Sequence, residues 1–146
     1  MVEVSEGARN SVVNISSTYL VQLRSPYGGL DDLFEQLFDL PSRRPQTRKL
    51  ESVGSGFVLH PDGYIVTNAH VVAQTIERTV IFDDKTQFEA QLVAIDEKHD
   101  LALLKIEVPE PIVPIRLGAS DDLMIGETAI AIGNPLGYQH TLTVGV

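Results

Sequence analysis

Residues 54–72 read GSGFVLHPDGYIVTNAHVV. Two apolar runs, GFVLH and YIVTN, flank PDG, where Pro presets one backbone angle and Gly adopts conformations that other residues avoid. The stretch therefore predicts two antiparallel strands joined by a tight turn. His70 stands where the second strand ends, a place from which a side chain reaches a cleft instead of the core. HVVAQ, which begins at His70, is long enough for one helical turn at most.

The same rhythm continues on both sides. TVIF and FEAQLVAI flank DDKTQ, a second hairpin signal, and LALLKI and TAIAI are further short apolar runs. Upstream, SVVNISSTYLVQL (11–23) is rich in Val, Ile, Thr and Tyr and reads as a strand. That makes about seven short strands with turns every eight to twelve residues or so, the pattern of a closed or sandwiched antiparallel sheet. The expected fold is all-β, a small antiparallel barrel of six to seven strands. LDDLFEQLFDL (30–40) has a different period. Leu30, Leu33, Phe34, Leu37 and Phe38 follow helical spacing, and Asp31 and Asp32 favour a helix start. We read a short helix within a long loop, 27–50, which closes with the polar PSRRPQTRK (41–49). The helix's apolar face packs on its own barrel or on a partner.

Bulk properties narrow the function. A length of 146 residues suits one domain, and 43% hydrophobic residues argue against disorder. With no Cys, disulfides and thiolate metal sites are excluded. No apolar run has the length of a membrane span, and residues 1–20 lack a signal-peptide pattern. The net charge of −9 sits in residues 51–146, which hold fourteen acids and five bases, whereas residues 1–50 balance at six and six. Such a surface repels phosphate backbones, so nucleic acid is not an expected partner.

Thirty residues after His70, Asp100 opens DLALLKI. A serine hydrolase needs a base that takes the nucleophile's proton and later returns it, and imidazole fits because it titrates near neutrality. It also needs an acid that fixes the ring's tautomer and stabilises the imidazolium. On chemistry alone, a His after a strand is ordinarily a rim residue and an Asp before one a turn or cap residue, so spacing by itself does not make His70 and Asp100 a catalytic pair. Asp96 is a rival acid that turn chemistry also explains. His60, His70, His99 and His140 show no helical HxxxH spacing and no accompanying acid cluster, so neither a metal nor another cofactor is expected.

GSGFVLHPDGYIVTNAHVV, then DLALLKI, then LGASDDLMIGETAIAIGNPLG resemble, in order and nearly without gaps from Val53 to Val146, the HtrA/Deg family of trypsin-fold serine proteases. SVVNI near the N-terminus resembles that family's first strand. The resemblance implies that His70 is the general base and Asp100 the triad acid, facing each other at hydrogen-bond distance, within about 3.2 Å. It implies two barrels with the active site between them. Residues 1–140 would be the first barrel and 141–146 the opening strand of the second. Also implied are ATP-independent endopeptidase activity on unfolded or misfolded proteins, a periplasmic or cell-envelope location and a trimer-based homo-oligomer. PDZ domains commonly follow in the family, and LDDLFEQLF resembles the Phe-rich part of a loop that contacts neighbouring subunits.

One departure is large. The family's nucleophile lies in a downstream GNSGGP motif, and no such motif occurs in these 146 residues. The serines at 5, 11, 16, 17, 25, 42, 52, 55 and 120 lie elsewhere, and the GSG at 54–56 resembles only a strand opening. The oxyanion hole and specificity pocket belong, by the same resemblance, to the second barrel. The chain alone is therefore expected to be inactive. The alternative is a non-catalytic binding or oligomerisation module. TLTVGV (141–146), uncharged and rich in Thr and Val, is expected to pair with another copy or to fold back onto a barrel edge.

Overall fold

A computed structural model describes Ala8 and residues 10–22, 47–133 and 141–146. The helix expected at 30–40 lies outside these residues, as does His140.

Six strands close a barrel. They are β1 (Val12–Gln22), β2 (Thr47–His60), β3 (Tyr64–Thr67), β4 (Glu77–Ile81), β5 (Gln87–Asp96) and β6 (Leu101–Ile106), paired antiparallel in the order β1-β2-β3-β6-β5-β4. The ring closes because β1 meets β4, with Ile15 opposite Val80. Alternation puts one face of each strand inside. Val13 and Ile15 of β1, Val58, Ile65, Val80, Ala90, and Ala102, Leu104 and Ile106 of β6 form one buried cluster. The PDG turn joins β2 to β3, and Gly63 takes φ +91° there, the left-handed region that favours glycine. A one-turn helix, α1 (Ala69–Val72), follows β3.

Two segments depart from the expectations. β2 begins at Thr47, inside the stretch read as loop. Residues 47–50 are drawn into the sheet by pairing with Tyr19–Gln22 of β1, and backbone pairing outweighs the polar character of Thr47, Arg48 and Lys49. Residues 141–146 have a partner that was not foreseen. β8 (Thr141–Gly145) pairs with β7 (Ala129–Gly133) as a two-stranded ribbon outside the barrel. Its cross-strand pairs sort by face: Ile130 with Val144 and Ile132 with Leu142 on one side, Ala131 with Thr143 on the other. The ribbon thus has an apolar face, and Ile130 and Ile132 look across a hollow of about 580 Å³ at Phe57, Leu101 and Ile115 of the barrel side.

Candidate active site

His70 belongs to α1, whose other three residues, Ala69, Val71 and Val72, are buried. Val71 and Val72 join the core cluster, and burying such side chains is worth about 1.5–3 kcal/mol each. The turn is pinned by its apolar residues, and His70 is the one position left to project outward, with its side chain 71% exposed. Beneath it the fit is close. A Cβ on Gly54 would lie 2.6 Å from a Val71 methyl, so the glycine lets β2 pass under α1. Fully buried Ser17 donates from Oγ to the Val71 carbonyl at 2.6 Å, and Thr75 donates to the Val72 carbonyl at 2.7 Å. The carbonyls at the end of this short helix are thereby satisfied.

Asp100 directly precedes β6. The β3–β6 register sets Thr67 opposite Ala102, which brings the residues just outside each strand, Asn68 and Asp100, near each other. Asp100 has φ +55°, a left-handed conformation that Asp tolerates better than most residues and that recurs at functional sites. Its carboxylate turns back onto α1. Oδ2 lies 2.7 Å from His70 Nδ1, and Oδ1 accepts the His70 backbone N–H at 3.0 Å. Asn68 Nδ2 also donates to Oδ2, at 3.1 Å, and to the Asp100 carbonyl at 3.2 Å. These donors hold the Asp100 carboxyl below its ordinary value of 3.8, the His70 backbone N–H chief among them, followed by the His70 ring and Asn68 and opposed by desolvation. An ionised carboxylate only accepts hydrogen bonds. Nδ1 is therefore the ring nitrogen that donates to Asp100, and the tautomer this selects leaves the lone pair on Nε2, as a general base requires. A hollow of about 250 Å³, lined by Tyr19, Leu20, Ser52 and Gln74 among others, opens beside His70.

The other candidates separate cleanly. Asp96 does not reach His70; it bonds His99 three residues on, with Oδ2 at 2.6 Å from the ring Nδ1 and Oδ1 accepting the His99 N–H at 3.2 Å. His60 Nδ1 accepts the Asp62 backbone N–H at 3.2 Å. Ser55 lies within β2, and its carbonyl accepts from Thr67 Oγ1 at 2.8 Å. Among the described residues no group of three or more His, Asp or Glu could hold a metal. The sequence reading missed Asn68, although it lies in the 54–72 stretch quoted at the outset. Its place two residues before His70, at the mouth of the β3 end, was the available signal.

Residues 54–146 match the family model described as the trypsin-like peptidase domain. The chain is 39% identical over 155 residues to a probable periplasmic serine endoprotease DegP-like from Ectopseudomonas mendocina, covering 97% of this chain and 32% of that protein. A protein of the same description from Chlamydia pneumoniae is 45% identical over 117 residues, covering 80% of this chain and 24% of the relative. A solved structure of an HtrA-type protease with a decapeptide superposes with a TM-score of 0.81 at 34% identity, covering 99% of this chain and 43% of that one. The chain thus spans about a third or less of the length of these curated relatives. No helix among the described residues is long and apolar enough to cross a membrane.

Proposed function

This chain belongs to the family of trypsin-like peptidase domains, and from that premise we propose that it carries the base and acid of a periplasmic serine endoprotease acting on unfolded polypeptides. The observation that supports the reading most directly is the His70–Asp100 contact, built from residues thirty apart in the chain. Nδ1–H is held by Asp100, and Nε2 takes the proton of a serine hydroxyl as that oxygen attacks a peptide carbonyl. The resulting imidazolium is stabilised by the ionised Asp100, and its proton passes to the leaving amine. The attacking serine and the oxyanion donors are supplied, in this reading, by a second barrel to which the β7–β8 ribbon leads. The 146 residues by themselves therefore do not hydrolyse peptide bonds, since a base without a nucleophile has nothing to activate. Periplasmic location follows the names of the relatives. Assembly into a trimer-based homo-oligomer belongs to the same proposal, and light scattering tests it.

The test uses two proteins. The chain alone, incubated with unfolded casein, releases no peptides. Joined in frame to the remainder of the Ectopseudomonas mendocina relative, it cleaves casein, and His70→Ala abolishes cleavage. A folded chimera that is inert, or one that cleaves equally well without His70, overturns the proposal.

A further inference from the structure

Asn68 occupies the N-cap position of α1, where an Asn side chain ordinarily accepts a hydrogen bond from the helix's own first turn. Here it makes no such bond. The donor it would have satisfied, the backbone N–H of His70, goes instead to Asp100 Oδ1 at 3.0 Å. Asp100 thus caps the helix from thirty residues away, and the Asn68 amide is released to face the other way. It reaches Asp100 twice, at the carboxylate Oδ2 (3.1 Å) and at the backbone carbonyl (3.2 Å). Those two atoms define how a residue at φ +55° aims its side chain: the carbonyl bond holds the backbone and the carboxylate bond holds the end.

The geometry points to Asn68 as a positioning residue for the dyad, a clamp that fixes Asp100 in its left-handed conformation with Oδ2 directed at His70 Nδ1. It acts through Asp100 and touches no reacting atom. Its role in catalysis rests on the function proposed above; its action on Asp100 does not. The site supplies a reason for the asparagine type. An amide nitrogen carries two protons and can donate to two acceptors at once, whereas a hydroxyl has one and an aspartate none. An aspartate at 68 would also set a second carboxylate against the first.

Nuclear magnetic resonance on the chain itself tests this without substrate. In the native protein, the Asn68 side-chain amide signals move with the same midpoint as the Asp100 carboxyl carbon when acid is added. In Asn68→Ala the Asp100 midpoint moves upward, and the His70 ring loses its single Nδ1–H tautomer, while core amide signals stay in place. Asn68→Ser, which keeps a good N-cap type, behaves like the alanine variant. If serine restores both signals, the role is helix capping and the clamp is wrong. If the Asn68 amide ignores the Asp100 titration in the native protein, the clamp is wrong whether or not any variant folds. In the casein-cleaving chimera, Asn68→Ala lowers kcat roughly tenfold at unchanged KM, the worth of one hydrogen bond to a charged group. An inert chimera removes the enzyme reading and leaves the resonance result standing.

Discussion

Two histidine–aspartate pairs in this molecule share one local geometry. In each, a carboxylate accepts both the ring Nδ1–H and the backbone N–H of the same histidine: 2.7 and 3.0 Å for His70–Asp100, 2.6 and 3.2 Å for His99–Asp96. Exposure does not tell them apart either, at 71% and 44% for the first pair and 62% and 51% for the second. The difference lies in what holds the bond. His99 and Asp96 are three residues apart, so the turn after β5 makes the contact, and the contact in turn closes the turn. His70 and Asp100 are thirty apart. Their contact needs the β3–β6 register, buried Val71 and Val72 under the histidine, a left-handed Asp100 and the Asn68 clamp. A short bond is therefore a poor sign of function by itself; the cost of arranging it from distant elements is the better one.

The largest expected effect separates the pairs by chemistry. In the casein-cleaving chimera, Asp100→Asn reduces kcat by roughly 10⁴, because the amide favours the wrong ring tautomer. Asp96→Asn leaves kcat within about twofold, as a surface substitution away from the reacting atoms does. Equal losses would erase the distinction drawn above.

Two changes act on the support of one pair only. Gly54→Ala drives a methyl into Val71 and costs about 1–3 kcal/mol of overpacking, read by urea unfolding. His70 resonances shift and those of His99 do not. Ser17→Ala leaves the buried Val71 carbonyl without its donor and costs about 1–2 kcal/mol, with the same selectivity. If either substitution moves both histidines equally, the pairs share support that the structure does not describe.

The smallest effect concerns acid. Asp96 and Asp100 are both held below 3.8 in the folded chain. Their stabilising contribution is therefore complete above that value and is lost as pH falls through the lowered folded values. The leading causes differ: the His99 ring for Asp96, the His70 backbone N–H for Asp100. His99→Ala should thus raise the Asp96 midpoint more than His70→Ala raises that of Asp100, by carboxyl carbon titration. The reverse order would show that the ring bond dominates at Asp100.

Much of this was legible beforehand, for identifiable reasons. The PDG turn, the DDKTQ hairpin and the alternating runs are local signals, and each became a strand pair. The His70–Asp100 contact was legible because His70 follows a strand, Asp100 opens one, and both sit in motifs with a family resemblance. What stayed hidden depends on register. Nothing local says that Asn68 comes to lie beside Asp100, that Asp100 turns left-handed, or that Asp100 caps α1 in place of Asn68. The start of β2 at Thr47 was hidden because the pull on the polar residues 47–49 comes from β1, some thirty residues upstream. The partner of 141–146 was hidden because a sticky strand declares that it pairs, not with what; TAIAI, counted among the barrel strands, supplied the edge.

The central claim is that the long-range pair, and not the local one, activates a nucleophile. A fluorophosphonate labels a serine only when a base has made it reactive, so labelling reads that activation without substrate binding. In the chimera, the native protein and His99→Ala should label at similar rates, and His70→Ala should not label. Labelling of a folded His70→Ala chimera at the native rate, or loss of label in a folded His99→Ala chimera, would contradict the account.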